Sequence, residues 1–521
     1  MNKHEGVYPE DLQSCLETCF GYHSFLEGQR ELATALLSGR DVVGVLPPGG
    51  GKSLCYQLPA MMREELAVVI TPSPVSMREQ MDRLIRLGIP VAGLGRMTTP
   101  HHYWEAIRGV WQGRCRILYV SPEKLMANEI RDLARGKRIS LIAIEEADRL
   151  SAWSQDFDPV CRRIPDFLSL FSHRPPVGAY TAAATPRVQK DIRDCLGLHD
   201  PAVVVAGFAR ANLRFDVIHS DDKEGETLAF LREHEGESGI ICCATRQAVE
   251  ELAACLLRNR IEVRRFHEGL TPEERNAARQ AFEHDKAPLV AATGGFFPGT
   301  CKKDIRFVLH YNMPLSMETY IREAGYAGRD GEPACCRLLY SPNDVVTARS
   351  LLQHKKRDPQ IDPQTRDILV QADGHRLHEM IRYCQAKDCL ANRIRACFGE
   401  KEKEPCGICG SCTGQALVSD VTQDARKILD CVFEVHERYG SETLIRILRG
   451  SRNKTIHKRH LDELRSFGTL SNIKGATIRS ILNELIMEDV LQTSTGRFPV
   501  MELGQCWERL REDGFRISIR R

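Results

Sequence analysis

The segment Pro47-Pro48-Gly49-Gly50-Gly51-Lys52-Ser53 has the composition of a phosphate cradle. Glycines let backbone N–H groups point inward around an anion at a helix N-terminus. The lysine then reaches the β- and γ-phosphates, and the serine hydroxyl reaches Mg²⁺. Residues 41–46 read as a short buried strand, and an apolar helical pattern opens at Leu54. One position departs from the usual pattern, with Leu46 where a glycine is common. Strand, glycine-rich turn, Lys-Ser and helix together predict a P-loop that binds a nucleoside triphosphate. A chance glycine turn before Lys-Ser would not carry both flanks.

Three further groups of residues offer chemistry. The apolar run 141–144 ends in Glu145-Glu146-Ala147-Asp148. Carboxylates at the C-terminal end of a strand are where a P-loop enzyme holds Mg²⁺ and polarises the attacking water. Alone, such residues often just cap the next helix; beside a P-loop they become the second half of a nucleotide site. Cys406-Gly407-Ile408-Cys409-Gly410-Ser411-Cys412 gives two x₂ spacings sharing Cys409, with glycines that let the sulfurs converge. With a fourth thiolate from Cys389, Cys384 or Cys397, this suits a closed structural Zn²⁺ site. An iron–sulfur cluster also accepts four cysteines, and free thiols are the plainer alternative. Finally, the stretch between Glu442 and Asp462 holds no acidic residue but carries Arg446, Arg449, Arg452, Lys454, Lys458 and Arg459. That is either a solvated charged face or a phosphate-contacting patch, with Gly450-Ser451-Arg452-Asn453 as a turn offering backbone N–H groups.

The elements that position these groups are legible as patterns. A chain of 521 residues predicts roughly three or four domains. At 42% hydrophobic and 27% charged it is ordinary globular protein, and a net charge of +2 decides nothing about partners. No apolar run reaches membrane-spanning length, and residues 1–6 begin no signal peptide. The expectation is therefore a cytoplasmic protein without membrane contact, most of whose 20 cysteines are buried reduced thiols. Candidate strands fall at 67–70, 117–120, 141–144 and 177–180, and again at 239–243, 263–267, 289–292, 307–311 and 337–340. With helical patterns between them, they predict an α/β fold of two parallel-sheet lobes. The expected divisions are 1–208 and 209–345 for the lobes, 346–413 for a helical cysteine-bearing subdomain, and 414–521 for a small appended domain. In the last, Thr422 is expected to cap a helix with Ala425, Ile428, Leu429 and Val432 on one face. A second helix carries Ile478, Ile481, Leu482 and Leu485, and 491–500 can form a hairpin: the outline of a winged helix.

These features together resemble a RecQ-type DNA helicase of superfamily two, from about Phe20 to about Leu503. The resemblance implies two RecA-like lobes, a zinc-binding subdomain and a winged-helix domain that grips duplex DNA. It implies an adenine-recognition motif in which Tyr22 stacks on the base and Gln29 reads its edge. Thr71-Pro72 and Val120-Ser121-Pro122-Glu123 resemble strand-tracking motifs. The run from Ser151 to Pro159 is similar to the family's aromatic-rich loop, with Trp153 and Phe157 suited to stacking on single-stranded bases. Thr181 to Arg187 resembles the motif coupling the two activities. Gly325-Tyr326-Ala327-Gly328-Arg329-Asp330-Gly331 resembles the motif that sends an arginine, here Arg329, to the γ-phosphate. The resemblance also favours Cys389 as fourth zinc ligand, ahead of Phe398-Gly399-Glu400, and implies 3′ to 5′ unwinding in repair or recombination. The roughly twenty residues after the hairpin are fewer than the family's additional C-terminal helical domain needs.

Six residues at five places depart from the family pattern. Glu145 and Asp148 stand for Asp and His, Tyr326 for the first of two arginines, Phe297-Pro298 for Gly-Met, and Leu26 for an arginine. The leading expectation is an ATP-driven DNA helicase: Lys52 on phosphate, Ser53 and Glu145 on Mg²⁺, Glu146 on water, Arg329 as finger. Trp153, Phe157, Arg449, Arg452, Lys454 and Lys458 would contact single-stranded DNA and duplex junctions. The departures raise a second reading, a nucleotide-dependent DNA-binding or scaffold protein with impaired hydrolysis. Protein partners are not legible.

Overall fold

A computed structural model describes residues 11–96, 98–296, 300, 302–354, 361–414, 418–451, 453–494, 500–512 and 514–520. The first lobe is a seven-stranded parallel sheet of β1 (Val42–Val45), β2 (Leu66–Ile70), β3 (Val91–Leu94), β4 (Ile117–Val120), β5 (Ile139–Ile144), β6 (Val177–Thr181) and β7 (Ala202–Val205). Their order is β3-β4-β2-β5-β6-β1-β7. The second lobe is a six-stranded parallel sheet of β8 (Leu213–His219), β9 (Gly239–Cys242), β10 (Arg264–Phe266), β11 (Leu289–Ala292), β12 (Phe307–His310) and β13 (Ala334–Tyr340). Its order is β10-β11-β9-β12-β13-β8.

The central strands are continuous apolar runs, buried on both faces because helices cover both. That is why the pattern made them legible. Three strands escaped it. β3 and β7 are edge strands of mixed burial, and β8 opens lobe two with alternating polar residues. The chain crosses between the sheets after β7, and the crossover is firmly held: Phe208 stacks on Phe398 with ring centroids 4.2 Å apart, and its N–H donates to Glu400 Oε2 at 3.1 Å.

Two helices, Pro363–Cys384 and Leu390–Phe398, carry the cysteine cluster against both lobes. Gln189 of lobe one donates to the Phe398 carbonyl at 2.8 Å, and the Gly410 N–H donates to Phe215 of β8 at 3.0 Å. The last domain packs Thr422–Glu434, Ser441–Leu448 and Gly475–Met487 around one apolar core. Two short antiparallel pairs complete it: β14 (Val418–Asp420) with β17 (Ser518–Arg520), and β15 (Leu491–Thr493) with β16 (Met501–Leu503). Lys387 to Glu484, at 2.5 Å, ties it to the cysteine-bearing subdomain.

Several details differ from expectation. Thr422 does not cap: it is the first helical residue, and its hydroxyl donates to Asp420 Oδ1 at 2.6 Å, because the helix start is fixed by the β14–β17 pair. The hairpin's return strand lies at 501–503, beyond the expected end. The basic stretch is partly helical, with the turns Ser441–Leu448 and Lys454–Lys458. Its Gly450 and Ser451 N–H groups are already engaged with the Ile447 and Arg446 carbonyls at 2.9 Å, so they are not free donors.

Candidate nucleotide cleft, zinc centre and DNA surface

The P-loop leaves β1 and turns with Gly49 and Gly51 at φ +82° and +67°, a conformation in which a side chain is strained. Lys52 folds back onto the Leu46 and Pro47 carbonyls at 2.9 and 3.3 Å. Burial of its ammonium pushes its pKa down to about 8, against the pull of Glu145, Glu146 and Asp148. Gln29, 1% exposed, donates to the Gly51 carbonyl at 3.1 Å and accepts from the Leu26 N–H at 2.8 Å, pinning the N-terminal motif to the cradle. Tyr22 is 45% exposed, and Arg83 donates to its hydroxyl at 3.2 Å.

The carboxylates at the end of β5 separate into three environments. Glu145 accepts from the Tyr56 hydroxyl at 2.8 Å and from the Ser76 hydroxyl at 3.3 Å. Glu146, in the left-handed region at φ +50°, pairs with Arg149 at 2.6 Å. Asp148 is buried, which raises its pKa, yet it is well satisfied: Thr181 and Ser154 donate at 2.6 and 3.0 Å. An acceptor-only Asp thus works here because two hydroxyls face it. It ties the β6 coupling motif to the aromatic loop.

That loop also bridges the lobes. Gln155 accepts from Ser316 and Thr319 at 2.6 and 2.9 Å, Asp156 pairs with Arg322, and Arg376 donates to the Trp153 carbonyl. Arg187 lies 3.5 Å over the Trp153 ring and Arg162 5.2 Å over Phe157, so each aromatic presents a face already met by a cation.

Across the cleft, Gly325 comes against the P-loop; a methyl at its α-carbon would stand 3.8 Å from Pro48. Arg329 rests on its own lobe, bonded to the Thr300 carbonyl at 3.3 Å and stacked 3.8 Å over the Tyr326 ring. The tyrosine in place of an arginine therefore holds the remaining arginine. Arg210 and Asn212, in the crossover, bond the carbonyls of this turn: Arg210 to Gly325 and Ala327 at 3.1 and 2.6 Å, Asn212 to Gly328 at 2.9 Å.

The sulfurs of Cys389, Cys406, Cys409 and Cys412 all lie within 4.8 Å of one another, with Cys406 and Cys412 at 4.0 Å. Tetrahedral Zn–S bonds of ~2.3 Å require sulfurs roughly 3.8 Å apart. The set fits one ion and leaves no room for a multi-iron cluster. Burial disfavours the Cys389 thiolate, but the Cys406 and Asn392 N–H groups bring its pKa down to about 7. Cys384 and Cys397 lie outside the group; Cys384 is part of the apolar core.

Four family models match in succession: DEAD/DEAH box helicase over 27–192, helicase conserved C-terminal domain over 222–331, RecQ zinc-binding over 342–413, and RQC domain over 416–521. The ATP-dependent DNA helicase RecQ of Bacillus subtilis is 34% identical over 490 residues, covering 94% of this chain and 81% of that protein. The chain belongs to the RecQ family. The Pasteurella multocida RecQ helicase is 32% identical, over 93% of this chain and 75% of its own. In fold alone, the DUF1998 helicase MrfA, solved with DNA and AMPPNP, is similar at TM-score 0.52 and 16% identity, covering 76% of this chain and 59% of its own.

The Cys₄ group lies within the RecQ zinc-binding match, and its geometry fits a zinc ion. In the RQC region, Arg449, Lys454 and Lys458 are exposed on one stretch of surface, while Arg452 lies outside the described residues, as do Phe297 and Pro298. Phe467 is half-buried against the domain core. Among the described residues no helix is long and apolar enough to cross a membrane. Sequence reasoning missed Tyr56, Ser76, Arg149, Arg210 and Arg322. Each is an ordinary helix, strand or linker residue until folding brings it to the cleft.

Proposed function

We propose that this RecQ protein couples ATP hydrolysis to 3′ to 5′ unwinding of duplex DNA, in repair or recombination within the cytoplasm. The observation that carries the reading is the meeting of P-loop and arginine turn, Pro48 against Gly325, across two parallel-sheet lobes. Closure of that cleft on ATP and reopening after hydrolysis would move single-stranded DNA past Trp153 and Phe157. Lys52 takes the phosphates and Arg329 swings from Tyr326 to the γ-phosphate. Glu146 orients water once nucleotide competes for Arg149. Ser53 and Glu145 supply hard oxygen donors of the kind Mg²⁺ prefers; the cation would neutralise developing phosphate charge. Arg449, Lys454 and Lys458 hold the duplex side of a junction.

The test is steady-state ATP hydrolysis with and without single-stranded DNA, beside forked-duplex unwinding and a Lys52→Ala control. DNA-stimulated turnover that the control abolishes supports the reading. Turnover no faster than the control identifies instead a nucleotide-dependent DNA-binding protein.

A further inference from the structure

Glu145 carries one methylene more than aspartate, and both of its carboxylate oxygens use that reach. Oε1 accepts from the Tyr56 hydroxyl at 2.8 Å and Oε2 from the Ser76 hydroxyl at 3.3 Å. Tyr56 is fully buried on the helix that follows the P-loop, three residues after Ser53. Its hydroxyl stands 3.5 Å from that of Tyr119, which Gln57 bonds at 3.0 Å while also donating to Gln80 at 2.9 Å. Ser76 and Gln80 both belong to Pro74–Arg86, the helix that begins just after Thr71-Pro72. The carboxylate is thus fixed from two helices, the one that follows the phosphate cradle and the one that follows β2. An aspartate would withdraw it by about 1.5 Å, one carbon–carbon bond, out of hydrogen-bond range of Tyr56.

We propose that Tyr56 and Ser76 are positioning residues that aim Glu145 at the cation of a Mg²⁺–nucleoside triphosphate. The inference rests on Glu145 being the metal-side carboxylate. Carboxylates that bind metal are themselves oriented by hydrogen bonds, whose loss typically costs about 10- to 100-fold in metal affinity.

The experiment measures Mn²⁺ affinity of the full-length protein by electron paramagnetic resonance, with a saturating non-hydrolysable ATP analogue. Binding of a fluorescent nucleotide in EDTA is measured in parallel. Tyr56→Phe should weaken Mn²⁺ about 10-fold while metal-free nucleotide binding holds, which a general packing defect would not spare. On a Glu145→Ala background Tyr56→Phe should add nothing. Ser76→Ala should weaken Mn²⁺ in the same direction and likewise add nothing on the Glu145→Ala background. Unchanged Mn²⁺ affinity in Tyr56→Phe, or an equal loss on the Glu145→Ala background, overturns the proposal. Unchanged Mn²⁺ affinity in Ser76→Ala overturns the Ser76 half of the proposal. If Glu145→Ala itself binds Mn²⁺ normally, the metal-side reading falls and the proposal with it.

Discussion

Lys52 enters the cleft with its proton weakly held, because burial lowers its pKa to about 8. A triphosphate raises that pKa again, so binding above pH 8 must take up a proton. Nucleotide affinity should be flat below pH 8 and fall by up to about tenfold per pH unit above it. Calorimetry in buffers of different ionisation enthalpy would show the uptake. Between about pH 8 and the ordinary lysine value of 10.5, the unfolded chain holds the proton that the folded one has lost, so this residue's contribution to stability rises with pH. Arg329 is the other cation of the proposed mechanism. Arg329→Ala should lower kcat by about 10³-fold with little change in nucleotide affinity, measured by single-turnover hydrolysis. Both residues were legible in the sequence because their motifs are local. What Tyr326 does was not, since stacking under Arg329 depends on the turn's conformation.

At the level of elements, the turn bearing Arg329 is held by the crossover segment and not by its own lobe alone. Arg210 bonds carbonyls that the end of helix Met317–Ala324 leaves unsatisfied. Arg210→Ala should lower kcat by roughly 10²-fold through misplacement of Arg329 while leaving DNA affinity intact. Hydrolysis and DNA-binding titrations on the same preparation would separate the two. The zinc subdomain is likewise a structural clamp. Cys409→Ser should bring zinc content well below one ion per chain by elemental analysis. It should also cost at least about 5 °C in Tm, since structural metal binding is folding energy. The x₂ spacings made three of these ligands visible. Spacing alone left the fourth among Cys389, Cys384 and Cys397 and the resemblance favoured Cys389; the helix start at Leu390 places that residue beside a segment 17 residues onward.

For the whole molecule, activity depends on surfaces that no single domain owns. The aromatic loop reaches Ser316, Thr319 and Arg322 in the second lobe and Arg376 on helix Pro363–Cys384, so both lobes and the cysteine-bearing subdomain share one set of bonds. In the proposed function the exposed cations of the last domain add an electrostatic grip. Substituting Arg449, Lys454 and Lys458 together by alanine should weaken binding across DNA sequences. It should also reduce the slope of log affinity against log salt by about 3, read from titrations at several salt concentrations. The sequence by itself determined the phosphate cradle, the carboxylates, the cysteine run, the order of domains and most central strands. These rest on local spacing and on runs buried on both faces, which short-range pattern encodes. Tertiary structure alone decided how the altered cleft is held: Glu145 by Tyr56 and Ser76, Asp148 by Thr181 and Ser154, Arg329 by Tyr326 and the Arg210 crossover. Hydroxyl and guanidinium partners carry no periodic signature. Only packing of distant segments determines which of them meet.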